Sequence, residues 1–141
     1  MALLIRTLLA TLLALAAALA AAGDARFMAL SYHEVLADDE PLTPTAVRAS
    51  DLARQFAWLQ ANDFHPVSVD QILAARADGP PLPPNAILLT FDDGKKDVYT
   101  RAFPLLTLFG YPAVIALVGK WMDAPTGQMV DYDGEPLPRS D

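Results

Sequence analysis

The sequence contains no cysteine, and its 141 residues include two histidines, His33 and His65. Without cysteine there are no disulfides, no thiolate zinc site and no lipidated cysteine after an N-terminal apolar segment. No histidine follows His65, so the second half of the chain has no imidazole to offer. Positive charge is also scarce: 10 Lys and Arg stand against 17 Asp and Glu, a net charge of -7. An acidic balance of this size argues against a nucleic-acid partner. Internal repeats are absent, and low-complexity composition is confined to the first residues. The length allows one domain at most.

What is present begins with Met1–Ala22, whose single charge is Arg6. Leu8–Ala22 is uncharged and ends in Ala20-Ala21-Ala22. One basic residue, an apolar stretch and small residues at its end are the parts of a secretory signal peptide. A membrane anchor or a buried helix are the other readings. The switch to Gly23-Asp24 favours cleavage after Ala22, or after Ala25. Removing Arg6 takes the net charge from -7 to -8. The expected organisation is a signal peptide over residues 1–22 and one domain over residues 23–141, with no stable membrane anchor after cleavage.

The mature chain is organised around Ala86–Gly94 (Ala-Ile-Leu-Leu-Thr-Phe-Asp-Asp-Gly). Ala86–Phe91 is an apolar run short enough for a strand. The lack of polar alternation predicts a parallel strand covered on both faces. Asp92 and Asp93 then fall at its C-terminal end, where α/β folds place their chemistry. Taken alone, Asp92-Asp93-Gly94 also reads as an ordinary turn.

Around this strand the pattern predicts alternating elements. Arg26–Tyr32 reads as a first strand ending at His33-Glu34, and Leu36–Arg48 as a surface loop. Ser50 is expected to cap a helix with Leu52, Phe56 and Leu59 on its buried stripe and Trp58 packed beside it. Asn62 or Asp63 ends that helix. Phe64–Val67 reads as a short strand, with His65 structural. Ser68-Val69-Asp70-Gln71 is a capping-box pattern opening a second helix. Pro80–Pro84 is a stiff connector. Lys95–Gly110 is predicted as one helix bent at Pro104, with Lys95 and Lys96 either beside the acids or solvated. Tyr111–Val118 is predicted as the next buried strand, and the polar Lys120–Asp141 as irregular. Asp131–Gly134 reads as a turn; it lacks the further ligands of a calcium loop.

Thr90-Phe91-Asp92-Asp93-Gly94 resembles the first signature motif of the polysaccharide deacetylases, the NodB-like carbohydrate esterases. The resemblance implies that Asp92 is the general base. It also implies that Asp93 binds a divalent metal ion (zinc, cobalt, nickel or iron) together with two His of a later His-x-x-x-His motif. Ser31-Tyr32-His33-Glu34-Val35 resembles a second feature, found in the circularly permuted subgroup that acts on poly-β-1,6-N-acetylglucosamine of biofilms. There a Tyr-His after the first strand supplies the general acid, here His33, and Glu34 is a neighbour. The implied fold is α/β, the N-terminal part of a distorted (β/α) barrel of which this chain supplies about four strands. The implied partners are an N-acetylglucosamine polysaccharide, which turns cationic as it loses acetyl groups, and exopolysaccharide export machinery. The implied location is across the inner membrane, periplasmic or extracellular.

The departure is that His-x-x-x-His is absent. The 141 residues are therefore expected to be an incomplete barrel that by itself neither deacetylates nor binds a divalent cation tightly. Two functions fit: a metal-dependent N-deacetylase, and a non-catalytic carbohydrate-binding or assembly module on the same fold. A His-x-x-x-His after Asp141 would decide for the first.

Overall fold

The computed structural model describes residues 26–123. The segment read as a signal peptide and the Asp131–Gly134 turn lie outside them. A parallel sheet forms the centre. Strand β1 (Met28–Tyr32) is followed by a short parallel pair, β2 (Glu34–Leu36) and β3 (Ala46–Arg48). Helix α1 (Ala49–Ala61), strand β4 (His65–Pro66) and helix α2 (Val69–Arg76) come next. Strand β5 (Ala86–Phe91) leads through a π-helical turn into helix α3 (Phe103–Phe109), and strand β6 (Val114–Ile115) into helix α4 (Gly119–Asp123).

β5 is central, and its two edges are used differently. β1 runs along one edge in register, from Met28 opposite Ile87 to Tyr32 opposite Phe91. The other edge is divided: β4 pairs with Ala86 and Ile87, and β6 with Thr90 and Phe91. All these pairs are parallel, as the apolar run predicted. The two faces of β5 are covered unequally, however. Ile87, Leu89 and Phe91 are buried against Leu52, Phe56 and Leu59 of α1 and against Val98, Ala102 and Leu106. On the other face a small cluster of Val67, Ile72 and Ala86 covers the N-terminal end, while Leu88 and Thr90 stay half-buried. That leaves the C-terminal end of this face open.

Several local expectations are corrected. The Leu36–Arg48 segment is not all loop, because Ala46–Arg48 pairs with Glu34–Leu36. Ser50 does not cap α1; Arg48 stands at the cap position without a side-chain bond. Instead the Asp38 carboxylate reaches over and accepts from the Ser50 N–H at 3.2 Å, so a distant acid serves the orphan donors of the first turn. Trp58 lies on the exposed side of α1. Its ring lies 5.5 Å from that of Phe64, and it lines a shallow groove with Leu42, Val47, Arg54 and Gln55. The capping box of α2 is present: Gln71 N–H donates to Ser68 Oγ at 3.2 Å, and Ser68 N–H to Gln71 Oε1 at 2.9 Å.

The helix after Gly94 opens at Lys96, within one residue of the predicted start, and Asp97 Oδ1 accepts from the Val98 N–H at 2.9 Å. Pro104 has no N–H, and its ring would press on the Thr100 carbonyl. The chain widens for one turn over Val98–Ala102, and the Phe103 N–H donates to Val98 O instead. Gly110 closes α3 in the left-handed conformation, φ 67°. The strand predicted over Tyr111–Val118 shrinks to Val114–Ile115. It pairs with two residues of β5, Thr90 and Phe91. Ile115 and Leu117 are more than half exposed, so that strand is not buried. The polar stretch after Gly119 begins with the short α4 rather than coil.

Candidate active site

Parity along two neighbouring strands assembles the site. Side chains alternate faces along a strand, and Ser31 lies opposite Thr90 in the register. Tyr32 and Phe91, one position on, point to the helix side and stack with ring centroids 5.2 Å apart. Burial pushes the Tyr32 hydroxyl up to about 12. It therefore stays protonated and donates to Gln55 Oε1 at 2.8 Å. The opposite face, open at this end, receives Ser31, Thr90 and the next residues of that parity, His33 and Asp92. The ladder continues through the Asp92 N–H, which donates to Tyr32 O at 2.8 Å.

Asp92 Oδ2 is the meeting point. Ser31 Oγ donates to it at 2.7 Å, and Ser31 Oγ in turn accepts from Thr90 Oγ1 at 3.0 Å. His33 Nε2 stands 3.9 Å from the same oxygen. His33 and Asp92 keep 41% and 33% of their side-chain surface exposed, so both face solvent where a substrate can arrive. Asp93 follows with φ 71°, a left-handed backbone that Asp tolerates better than most residues. This reversal takes Asp93 out of the strand's alternation. Gly94 continues the turn at φ 64°, and a Cβ there would collide with Leu117 Cδ2. Glycine takes this left-handed conformation without strain.

The structure thus brings His33 and Asp92 together and sets Asp93 at the adjoining turn. His65 is elsewhere, 3.2 Å from Asp63 Oδ1. Among the described residues no group of three or more His, Cys, Asp and Glu side chains is placed to hold a metal ion. Asp93 offers one donor, and the described residues do not complete a metal site around it.

The polysaccharide deacetylase family model matches residues 79–135, a stretch that contains Asp92 and Asp93 and leaves His33 outside. A poly-β-1,6-N-acetyl-D-glucosamine N-deacetylase of Escherichia coli is 45% identical over 113 residues, covering 80% of this chain. The chain belongs to the polysaccharide deacetylase family. It spans 17% of the length of that curated relative. Among solved structures, a de-N-acetylase from Aggregatibacter actinomycetemcomitans superposes with a TM-score of 0.69 at 34% identity, covering 79% of this chain and 45% of that one. The BpsB deacetylase domain from Bordetella bronchiseptica superposes at 0.60 with 42% identity, covering 74% and 42%. The α/β fold is therefore the family's.

Sequence reasoning missed the residues that hold the His33 segment in place. Asp97 Oδ2 accepts from the Val35 N–H at 2.7 Å, and Arg101 donates to Val35 O at 3.1 Å and to Glu40 at 2.7 Å. Both side chains come from the turn after Gly94, so the second strand end clamps the first. The signal was visible as charged residues at positions 97 and 101, but their target lies more than sixty positions away in sequence.

Glu34 is the neighbour the sequence implied, and its carboxylate is occupied. Lys95 donates to Oε1, and Thr43 Oγ1 to Oε2 at 2.8 Å. Of the two lysines, Lys95 is thus paired and Lys96 is exposed. The bond from Lys95, then that from Thr43, holds Glu34 below its ordinary 4.5. Glu34, with lesser help from Asp93 and Asp97, holds Lys95 above its ordinary 10.5. A lowered carboxyl contributes stability that is present above its unfolded value and lost as pH falls through the folded one. A raised amine contributes stability that is lost as pH rises through its folded value. Glu34→Gln is expected to cost about 1 kcal/mol at pH 7, a value discounted for solvent screening of a partly exposed pair. That difference should shrink in urea titrations as pH falls from about 4.5 through the lowered folded value. A cost that persists at acid pH would rule the ion pair out as its source.

Proposed function

We propose that the protein hydrolyses N-acetyl groups from a poly-β-1,6-N-acetylglucosamine of the biofilm matrix. The observation that carries this reading is the approach of His33 Nε2 to Asp92 Oδ2 at 3.9 Å across the β1 and β5 strand ends. Family membership and the 45% identity to a deacetylase of that polymer support the substrate class. Water attacks the acetyl carbonyl carbon while Asp92 accepts its proton. The C–N bond then breaks as His33 gives a proton to the leaving amine, and the products are acetate and a free amino sugar. The reading carries a divalent cation that polarises the carbonyl when bound, with Asp93 as one donor to it; zinc, cobalt, nickel and iron all suit a carboxylate and imidazole set.

The same reading places the working protein in the periplasm or outside the cell, beside exopolysaccharide export machinery. Its support is the uncharged Leu8–Ala22 segment with its small-residue end. Among the described residues no helix is long and apolar enough to cross a membrane.

The test uses the full-length protein. If His33 is the general acid, His33→Ala slows hydrolysis of N-acetyl amides far more than hydrolysis of activated acetate esters, because only a poor leaving group needs the proton. Equal fractional loss on the two substrates would remove His33 from the chemistry.

A further inference from the structure

We infer that Ser31 is a positioning residue for Asp92, driven by the Thr90 hydroxyl behind it. This rests on the deacetylase reading and deepens it. The three groups lie in line: Thr90 Oγ1 donates to Ser31 Oγ at 3.0 Å, and Ser31 Oγ donates to Asp92 Oδ2 at 2.7 Å. A serine has one proton to give and two lone pairs to accept with. Once Thr90 supplies its proton to Ser31, the Ser31 proton is directed at Asp92. The relay therefore has a direction, set by two strand residues that face each other in register.

Its effect is geometric. Both the Ser31 bond and the 3.9 Å approach of His33 are made to Oδ2. Asp92 follows the last residue of β5, where the regular ladder stops. Its backbone is held through Tyr32 O at 2.8 Å, which leaves the side-chain torsions to be set by the Ser31 bond. With Oδ2 held by the Ser31 bond, Oδ1 is the oxygen left to take the water proton. Base efficiency depends steeply on such placement, and a misplacement of about 1 Å costs on the order of 100-fold. The other hydroxyls near this end do not substitute for Ser31. Thr43 is bonded to Glu34, and the Tyr32 hydroxyl, on the far face, is bonded to Gln55.

The inference is tested by kinetics and crystallography of the full-length protein. Ser31→Ala is expected to lower kcat for acetate release about 10- to 100-fold with KM little changed, and Ser31→Thr, which keeps the hydroxyl, to recover most of it. Thr90→Val should give a smaller loss in the same direction. In an Asp92→Asn background, Ser31→Ala should add nothing further, since the group it positions no longer acts as a base. A merely structural serine would instead lower thermal stability and lose activity to the same factor in both backgrounds. In crystals of Ser31→Ala the Asp92 carboxylate should occupy a new or a second rotamer. Undiminished kcat in Ser31→Ala, or an Asp92 side chain that does not move, overturns the positioning role and leaves the deacetylase reading standing. A wild-type protein that releases no acetate overturns that reading, whatever the rotamer of Asp92.

Discussion

Asp92→Asn is expected to lower kcat for acetate release about 100- to 10,000-fold, the range that general acid–base catalysis supplies, while the protein folds as before. The substitution keeps the shape of the side chain. The Ser31 hydroxyl still finds an oxygen to bond, and the backbone bond to Tyr32 O is untouched. What is lost is a group able to accept a proton from water. The matching variant at the next position should behave differently. Asp93 lies at the reversed, positive-φ position beyond the strand parity. Asp93→Asn is therefore expected to lose bound divalent metal first, as measured by elemental analysis after dialysis, whereas Asp92→Asn retains it. Equal metal loss in the two variants would show that the division of labour between the acids is wrong. Turnover in Asp92→Asn within threefold of wild type would show that Asp92 is not the base.

Phe56→Ala should destabilise the protein by about 3–5 kcal/mol, the range for emptying a buried aromatic site. Phe56 is fully buried at the centre of the α1 stripe. Its ring meets Phe109 edge-on at a centroid distance of 5.7 Å and Tyr111 at 5.4 Å. Its carbonyl also accepts the Tyr111 hydroxyl at 3.2 Å. This aromatic group ties α1 to the end of α3 and to the chain entering β6. Collapse around the cavity is opposed by the two rings and by the Tyr111 bond, so the cost belongs at the upper part of the range. The urea midpoint at unchanged m-value reads it. A loss below 1 kcal/mol would mean that the cluster repacks freely and that Phe56 is not its keystone.

The site was more legible than its supports. Asp92, Asp93 and Gly94 stand together in sequence after an apolar run, so a strand end bearing two acids could be read directly. His33 was visible because a second apolar run ends just before it. Ser31 and Thr90 carried no signal of their own. A hydroxyl inside a strand is unremarkable until register sets it against another, and register is a property of two strands. Asp97 and Arg101 were visible as charges, but their shared target was not: it is the backbone of Val35, and backbone groups leave no trace in composition. The shortened β6 shows the opposite failure. Tyr111–Val118 is apolar and β-branched enough for a strand, but strand length is decided by how much of a neighbour's edge is available, and β4 already occupies the first part of β5.

The sequence by itself determined the α/β order, the central strand, the amphipathic stripe of α1, the capping box of α2 and the two acids at a strand end. Each follows from local periodicity, capping chemistry or backbone preference, which act over a few neighbouring residues. Only the tertiary structure decided that β5 divides one edge between two strands, that His33 and Asp92 share one face, that Ser31 and Thr90 lie in line behind Asp92, and that Glu34 is bonded to Lys95. The last three join residues about sixty positions apart. They depend on which strands pair and in what register, and burial of the apolar face of both strands together, not the preference of any one residue, selects that pairing.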